Sequence, residues 1–338
     1  IPTFVLMIDD IFQIKTEADF KQKCLEAFHY QYENVEVYRK FVNYLKTDIA
    51  NISTIKDIPF LPIEIYKNHQ ILDKNFQTDL FFQSSGTTES NLSKHWIVND
   101  EIYKQSILTS FQKFIGDPEE FVILGLLPNY SENPHSSLIF MVDFLMKESG
   151  QAENDYFLYN HLKLYSLLKK LKTKEKRILL FGVSFALLDF LDTLNKERLT
   201  IENPDLMIIE TGGMKGRKDE MTKEELLQIF QKGFGTEQVF SEYSMTELLS
   251  QAYSLGNNLY QTPSWMKVMI RNTEDPFQYL PAGKTGAINI IDLANLHSCS
   301  FIATQDLGKI EIQNSNEYFS VLGRIDHSDI RGCSLLVS

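Results

Sequence analysis

The stretch RILLFGVSFALLDFLDTLNKERLTIENPDLMIIE, residues 177–210, decides the fold. It begins with an apolar run at 177–181, continues with apolar residues at helical spacing over 184–196, and ends with a second apolar run at 206–210. Two short apolar runs joined by an amphipathic helix are typical of consecutive parallel strands, because parallel strands need a long crossover connection. We therefore expect a strand at each end and a helix between them.

The same alternation extends to both sides of this stretch. Further strands are expected at 80–83, 121–126 and 238–240, and further helices at 100–114, 136–147, 160–172 and 222–232. Thr222 and Glu225 form a capping-box pair at the start of the last helix. Strands that alternate with helices predict an α/β fold with a largely parallel sheet.

The beginning of the chain has a different character. The first 50 residues predict helices, and Thr16 with Asp19 forms a capping-box pair before the first of them. Pro59 and Pro62 favour an extended segment over 58–66, because proline disfavours helix in the residue before it.

After residue 265, short strands are expected at 266–271, 286–291 and 309–312, separated by turn residues. The sequence therefore predicts three parts. These are an N-terminal helical segment over 1–50, an α/β core over 51–264 and a mostly β subdomain over 265–338.

Composition and charge exclude several classes of protein. Hydrophobic residues make up 43% and charged residues 23%, which is ordinary for a globular protein. The net charge of −12 and the absence of a long Lys/Arg run argue against a nucleic-acid partner. The longest apolar stretch, 178–191, has about 14 residues and is too short to span a membrane. Cys24, Cys299 and Cys333 are too few and too far apart for a disulfide framework, so we expect a cytoplasmic protein.

The densest motif is QSSGTTES at residues 83–90, directly after an apolar run. It places hydroxyl residues around a glycine: Ser84, Ser85, Gly86, Thr87 and Thr88. The glycine lets the backbone approach a ligand closely, and the N–H groups and hydroxyls can point at phosphate oxygens. The alternative is an ordinary Ser/Thr-rich turn.

A second motif, ETGGMKGRK at 210–218, also follows an apolar run. It is not a P-loop, because Arg217 occupies the position of the second glycine and Asp219 that of the hydroxyl residue. Gly212 and Gly213 indicate either a turn that lines a ligand or a plain strand-to-helix loop.

A third motif, FSEYSMTE at 240–247, contains an aromatic residue, a hydroxyl and a carboxylate. Tyr243 could stack on a base and Glu247 could hold a metal ion. The alternative is a helix start that Thr246 caps.

A competing motif is GVSFA at 182–186, one residue away from the nucleophile elbow of a serine hydrolase. Ser184 would be the nucleophile, with Asp292 and either His297 or His327 as its partners. The commoner role of such a serine is at a helix N-terminus. The histidines show no metal-binding spacing, so we predict no zinc site.

Taken in order, five motifs resemble the adenylate-forming superfamily, which includes acyl-CoA synthetases, peptide-synthetase adenylation domains and beetle luciferases. They are the Ser-Ser-Gly-Thr-Thr loop, Gly-Gly, Tyr-x-x-Thr-Glu, Thr-x-Asp-Leu-Gly at 304–308 and Gly-Arg-x-Asp at 323–326. Within it, the chain is most similar to the LuxE-type acyl-protein synthetases. The segments 126–130, 135–138 and 330–334 support that choice, and the resemblance spans residues 10–338.

The resemblance implies an acyl-CoA synthetase-like N-terminal domain and a set of roles. Ser84 to Thr88 would hold the β- and γ-phosphates of ATP. Gly212 and Gly213 would line the adenine pocket, and Tyr243 would stack on the base. Thr246 would contact the α-phosphate, and Glu247 would ligate Mg²⁺. Asp306 and Arg324 would reach the ribose.

The function implied is activation of a carboxylic acid, by family a fatty acid, with ATP and Mg²⁺. Members of the family then pass the acyl group to a cysteine near their C-terminus, and Cys333 stands at that position. An acceptor protein or carrier would receive the acyl group from this cysteine. The larger enzymes have a further domain with a catalytic lysine where this resemblance ends, so a CoA ligase with a separate partner domain is an alternative. A non-catalytic nucleotide or acyl binder is another, because Glu89 replaces a glycine of the phosphate loop.

Overall fold

Helices and strands alternate along residues 11–85, 92–128, 131–172, 176–201, 203–212 and 221–325, which a computed structural model describes. Seven α-helices lie in these ranges: α1 Glu17–Asn34, α2 Glu36–Tyr44, α3 Glu101–Phe114, α4 Ser137–Ser149, α5 His161–Leu171, α6 Ser184–Lys196 and α7 Lys223–Phe234. Fourteen strands lie there too: β1 Leu61–Pro62, β2 Phe81–Gln83, β3 Lys94–Trp96, β4 Phe121–Leu126, β5 Asp155–Tyr156, β6 Arg177–Val183, β7 Met207–Thr211, β8 Val239–Tyr243, β9 Ala252–Ser254, β10 Tyr260–Gln261, β11 Met266–Arg271, β12 Gly286–Asp292, β13 Phe301–Gln313 and β14 Asn316–Arg324.

Parallel strands form one half of the main sheet, in the order β5, β4, β6, β7 and β8. Every residue of β4 and of β7 is buried. Parallel strands are usually covered on both faces, which is why they read as continuous apolar runs in the sequence. The predicted α/β fold is confirmed, and β4 and α6 have the predicted bounds.

Antiparallel strands continue the same sheet beyond β8, in the order β9, β10, β14, β13, β12 and β11. β1, which follows the N-terminal helical segment, joins β13 in parallel. The strands after residue 265 therefore share one sheet with the parallel strands. The division into three parts remains a prediction from the sequence.

Two expectations about extended segments are wrong in extent. Within 58–66 only Leu61–Pro62 is a strand, and the chain then turns through a 3-10 helix at Ile63–Lys67 that starts from Pro62. The strand expected at 309–312 is the end of the longer β13, which pairs with the unexpected β14. The turn between them has positive φ at Asn314 and Ser315, as a two-residue hairpin requires, but serine there is a weak sequence signal.

Both predicted capping boxes are present. The backbone N–H of Asp19 donates to the Thr16 hydroxyl at 3.1 Å, and the N–H of Thr16 donates to the Asp19 carboxylate at 3.0 Å. Thr222 and Glu225 form the equivalent pair before α7. Within the residues described, none of the helices has the length and apolarity needed to cross a bilayer.

Candidate active site

The carboxyl ends of β7 and β8 lie side by side, because the two strands are parallel neighbours. Gly212 follows β7, Tyr243 is the last residue of β8, and Thr246 and Glu247 come three and four residues later. In open α/β sheets, ligands bind beyond the carboxyl ends of the strands. The second and third sequence motifs therefore meet at the edge where a ligand site is expected.

β13 and β14 bring two further predicted residues to Tyr243. Asp306 lies opposite Arg324 in the antiparallel pair. The Tyr243 hydroxyl donates a hydrogen bond of 2.8 Å to Asp306 Oδ2, and Arg324 Nε lies 3.5 Å from Asp306 Oδ1. Burial raises the pKa of the Asp306 carboxyl, and the Tyr243 hydrogen bond and the Arg324 charge partly oppose that shift. Three residues from three separate motifs thus form one cluster.

The ring of Tyr243 is held by two other aromatic rings. It packs edge-on against Tyr260 and Phe319, with ring centroids 5.9 and 5.4 Å away. Burial and the nearby Asp306 carboxylate raise the pKa of the phenol well above its usual value. The hydroxyl therefore stays protonated and remains a donor to Asp306.

Thr246 and Glu247 contact the strand that follows the Ser/Thr-rich loop. His95 Nδ1 lies 3.0 Å from the carbonyl oxygen of Thr246, and His95 Nε2 lies 2.8 Å from the Ser298 hydroxyl. The Glu247 side chain is 5% exposed and accepts a hydrogen bond from the Ser93 hydroxyl. The hairpin β2–β3 is thereby fixed against the third motif.

Burial shifts the pKa values of Glu247 and His95 in opposite directions. It raises the pKa of Glu247, and the Ser93 hydrogen bond and the Arg324 charge partly oppose that shift. It lowers the pKa of His95 to about 4, so the imidazole is neutral near pH 7 and Nδ1 carries the hydrogen that the Thr246 carbonyl accepts. Sequence reasoning missed Ser93 and His95, whose only signal is their position directly after the hydroxyl-rich loop.

The base of that loop is described, and its tip is not. The backbone N–H of Ser84 donates to the Ser93 carbonyl, and the N–H of Ser93 donates to the Ser84 hydroxyl, both at 3.0 Å. Ser85 is exposed beside this pair. Gly86, Thr87 and Thr88 lie outside the described residues, so their phosphate-binding role remains a prediction.

Gly212 supplies a left-handed turn at the end of β7. Its φ is +74°, and a Cβ built there would meet no atom within 4 Å. A side chain would therefore be opposed by the backbone conformation rather than by a lack of space. Gly213 lies outside the described residues, and its place in an adenine pocket remains a prediction.

Ser184 does not have the surroundings of a hydrolase nucleophile. It is the first residue of α6 and is 1% exposed. Its hydroxyl lies 2.8 Å from both Glu210 Oε2 and the carbonyl oxygen of Gly212. Glu210 in turn forms a buried ion pair with Lys223. The serine joins α6 to the end of β7, which is a structural role.

The expected partners of Ser184 contact other groups. Asp292 accepts hydrogen bonds from the N–H of Leu249 and the hydroxyl of Ser250. His297 Nδ1 lies 3.7 Å from the Asp73 carboxylate. His327 is not among the described residues. The serine-hydrolase interpretation is therefore wrong for the serine, acid and histidine that the structure describes.

Glu242 is a third residue that sequence reasoning missed. It lies inside β8, is 3% exposed and accepts a hydrogen bond from the Thr211 hydroxyl of β7. Burial raises its pKa to about 7, against the hydrogen bonds from Ser244 and Thr211. Its position before Tyr243 gives no sign in the sequence that the carboxyl is buried.

Two of the cysteines are unsuited to nucleophilic chemistry. Cys24 and Cys299 are both buried, and burial raises the pKa of both thiols, that of Cys299 to about 12. A buried thiol in apolar surroundings is inert, because the thiolate is the reactive form. Cys333 lies outside the described residues.

The acidic residues offer few ligands to a metal ion. Among the described residues, no three His, Cys, Asp or Glu side chains are grouped as a metal site would need. Mg²⁺ is commonly held by one or two carboxylates together with water and substrate phosphates. A single buried carboxylate such as Glu247, at the edge where nucleotide is expected, fits that donor set.

Several solved structures have a similar fold. A 2-hydroxyisobutyryl-CoA ligase, solved in an open conformation with 2-HIB-AMP and CoA, has a TM-score of 0.68 and 11% identity, covering 92% of this chain and 70% of that one. An ATP-bound RpMatB-BxBclM chimera has a TM-score of 0.52 and 16% identity, covering 72% and 47%. The luciferase-like enzyme of the mealworm Zophobas morio has a TM-score of 0.51 and 14% identity, covering 74% and 58%. Identities this low show the fold alone.

Sequence comparison identifies the family. The search of curated proteins found no match. The family model for acyl-protein synthetase, LuxE, matches residues 10–338, nearly the whole sequence. The chain therefore belongs to the LuxE acyl-protein synthetase family.

Proposed function

We propose that the chain forms an acyl-adenylate at the sheet edge around Tyr243, Thr246 and Glu247, and then passes the acyl group to Cys333. The observation that carries the proposal is the hydrogen bond between Tyr243 and Asp306, two residues 63 positions apart in separate motifs. An aromatic ring beside a half-buried carboxylate suits a nucleoside, which offers a base to stack and hydroxyls to donate.

Asp306 retains the capacity to accept further hydrogen bonds. A carboxylate has about four acceptor positions, and Asp306 uses one for Tyr243 while Arg324 lies at the longer distance of 3.5 Å. The ribose hydroxyls would donate to the remaining positions. Arg324 is 75% exposed and would contact the same ribose from the open side. The loop from Ser84 to Thr88 would hold the β- and γ-phosphates.

The chemistry requires the charge of two anions to be neutralised. An oxygen of the substrate carboxylate attacks the α-phosphorus, the bond to the β-phosphate oxygen breaks, and the electron pair leaves with pyrophosphate. Mg²⁺, which Glu247 would ligate, would supply positive charge beside these oxygens. Thr246 would donate to the α-phosphate, and His95 would keep the Thr246 backbone in place.

The second step would move the acyl group to a thiol. The thiolate of Cys333 attacks the acyl carbon, the bond to the AMP oxygen breaks, and AMP leaves. Cys24 and Cys299 are buried with raised pKa values, which supports Cys333 as the nucleophile. A fatty acid as substrate, an acyl acceptor protein and a cytoplasmic location remain predictions from the sequence and the family.

The adenylation step is tested by ATP–pyrophosphate exchange with a series of acids. The panel should contain straight-chain acids of increasing length and aryl acids. We expect exchange that depends on both an acid and Mg²⁺. If ATP binds and no acid supports exchange, the chain is a nucleotide binder instead.

The thioester step is tested by intact-protein mass spectrometry after incubation with the active acid and ATP. We expect a mass increase equal to the acyl group, its removal by neutral hydroxylamine, and its absence in Cys333→Ser with exchange retained. Added CoA distinguishes the alternative acceptor. Release of acyl-CoA with no acyl-enzyme would contradict transfer to Cys333.

A further inference from the structure

A row of polar residues crosses the main sheet next to Tyr243. Residues that lie opposite one another in β7, β8, β9 and β10 form this row: Glu210, Ser241, Ser254 and Tyr260. Residues two apart on a strand point to the same face, so Tyr243 shares the face of Ser241 and lies nearer the carboxyl edge. The row therefore adjoins the ring that would stack on the base.

Lys223, the first residue of α7, connects the two ends of this row. Its ammonium forms an ion pair with the Glu210 carboxylate and donates a hydrogen bond to the Tyr260 hydroxyl. Glu210 is fully buried and Tyr260 is 3% exposed. Burial disfavours the charged lysine, but Glu210 and Tyr260 outweigh that effect and raise its pKa above the ordinary value, so the ammonium stays charged.

The Tyr260 ring extends this contact to the candidate active site. It meets Tyr243 edge-on with centroids 5.9 Å apart, and it stacks at 5.2 Å on Phe319, the residue opposite it on β14. Phe319 also packs edge-on against Tyr243, so the three rings form one group. Because closely packed rings fix one another's orientation, a shift of Tyr260 would move the Tyr243 ring as well.

A buried ion pair contributes little to stability by itself. Removing two charges from water carries a desolvation penalty, and apolar side chains of similar volume often give equal or greater stability. The second contact of Lys223, with the Tyr260 hydroxyl, indicates a positional role for the pair.

We propose that Lys223 and Tyr260 are positioning residues of the nucleotide site. The ion pair with Glu210 fixes the Lys223 ammonium, the ammonium fixes the Tyr260 hydroxyl, and the Tyr260 ring sets the plane of the Tyr243 ring. The inference rests on the proposed function, because it takes Tyr243 as the residue that stacks on the base.

Calorimetry with ATP tests the path from Lys223 to Tyr243. We expect Tyr243→Leu to weaken ATP binding at least about fivefold, the low end of the cost of losing a base–aromatic stack. Lys223→Met should cause a loss of the same order, because the lysine acts through Tyr260. Ser184→Ala is the matched control: it removes a hydrogen bond to the other Glu210 oxygen and should leave the affinity unchanged.

Two further variants keep the test decisive if Lys223→Met fails to fold because Glu210 loses its partner. Glu210→Met combined with Lys223→Met replaces the ion pair by apolar side chains, and Tyr260→Phe keeps the ring while removing its bond to Lys223. Both should weaken ATP binding, Tyr260→Phe by less.

Pyrophosphate-exchange kinetics separate positioning from general damage to the fold. We expect these variants to raise the KM for ATP while kcat and the KM for the acid stay as in the wild type. A general structural effect would change all three quantities, and that result would overturn the inference.

The variants also distinguish failure of this inference from failure of the proposed function. Weakened ATP binding in Tyr243→Leu, with wild-type affinity in the double variant and in Tyr260→Phe, would overturn the inference alone. So would an equal loss in Ser184→Ala. If the wild type does not bind ATP, or if Tyr243→Leu binds it equally well, the proposed nucleotide site and the inference are both wrong.

Discussion

Asp292 and Asp306 lie on neighbouring antiparallel strands, β12 and β13, and have opposite surroundings. Asp292 is fully buried and accepts hydrogen bonds from the Leu249 and Ala294 backbones and from the Ser250 hydroxyl, at 2.8, 3.0 and 2.6 Å. Asp306 is half-buried and accepts a single short bond from a side chain, Tyr243.

This difference distinguishes a carboxylate that stabilises the fold from one that can bind a ligand. The acceptor positions of Asp292 are largely used, and its pKa is raised to about 6 by burial even with these bonds in place. Asp306 has acceptor positions left and a neighbouring cation. A short acidic motif in the sequence does not reveal which of the two situations applies, and only the partners do.

Glu247 should behave as a ligand-binding carboxylate, with the largest effect on activity. We expect Glu247→Gln to lower the adenylation rate about 10²–10³-fold, the usual cost of losing a charge partner in the transition state. The free energy of unfolding should change little, because an amide of the same shape can keep the contact with Ser93. Pyrophosphate-exchange rates and denaturant unfolding check both parts, and wild-type turnover would remove Glu247 from the mechanism.

Asp292→Ala should change the stability of the fold and leave ligand binding almost unaffected. We expect Asp292→Ala to lower the free energy of unfolding by roughly 3 kcal/mol, because three buried donors lose their acceptor. The affinity for ATP in the folded protein should stay near that of the wild type. Urea unfolding and calorimetry measure the two quantities, and a stable variant with weakened ATP binding would reverse the comparison.

Asp306→Ala should weaken ATP binding, with a smaller effect than Glu247→Gln has on the adenylation rate. We expect ATP affinity to fall by at least roughly 10- to 100-fold, the effect of losing one charge-assisted hydrogen bond to a ribose hydroxyl worth about 1.5–3 kcal/mol. The free energy of unfolding should fall by about 1 kcal/mol, less than for Asp292→Ala, because only the Tyr243 hydroxyl loses its acceptor. An unchanged ATP affinity in calorimetry would show that the segment 304–306 is only a turn.

A third carboxyl group, that of Glu242, predicts a pH dependence of the free energy of unfolding. Its pKa is raised from an ordinary 4.5 to about 7 in the folded state, so the folded state holds this proton more tightly. The stability that Glu242 contributes is therefore complete below about pH 4.5 and is lost as the pH rises through about 7. Unfolding free energies of wild type and Glu242→Gln should diverge over this range, with the wild type falling relative to the variant. A constant difference would show that the carboxyl does not titrate there.

Ser184→Ala should have the smallest effect. Loss of its hydroxyl removes one hydrogen bond near Glu210 and Gly212 and should cost about 1 kcal/mol of stability. Adenylation should be unaffected, and a fluorophosphonate probe should not label the wild type. Labelling at Ser184 would restore the hydrolase interpretation.

The sequence predicts the long elements because their pattern is repeated over many residues. β4, α6 and β11 have the predicted bounds. β5 and β10 have only two residues each, too few for any periodicity to be read. β14 was missed because its turn, Asn314–Ser315, is not one of the glycine-containing pairs that signal a hairpin.

The sequence predicted site residues only where they belong to a short continuous motif. The order of the motifs led to Tyr243, Asp306 and Arg324, which the structure brings together. The contact of His95 with Thr246 spans 151 positions and leaves no local pattern. The acceptor positions of Asp292 are likewise filled by donors from distant parts of the chain. Its structural role can therefore be recognised only from the folded structure.

In the proposed reaction, a carboxylate oxygen of the substrate attacks the α-phosphorus of ATP. The most direct test uses the acid that gives the fastest exchange, labelled with oxygen-18 in its carboxylate, and follows the label by mass spectrometry of the AMP that is released. We predict one labelled oxygen in each AMP, because the bond between the acyl carbon and that oxygen breaks when the thiol attacks. AMP without label, or label found in inorganic phosphate, would contradict acyl-adenylate formation by this chain.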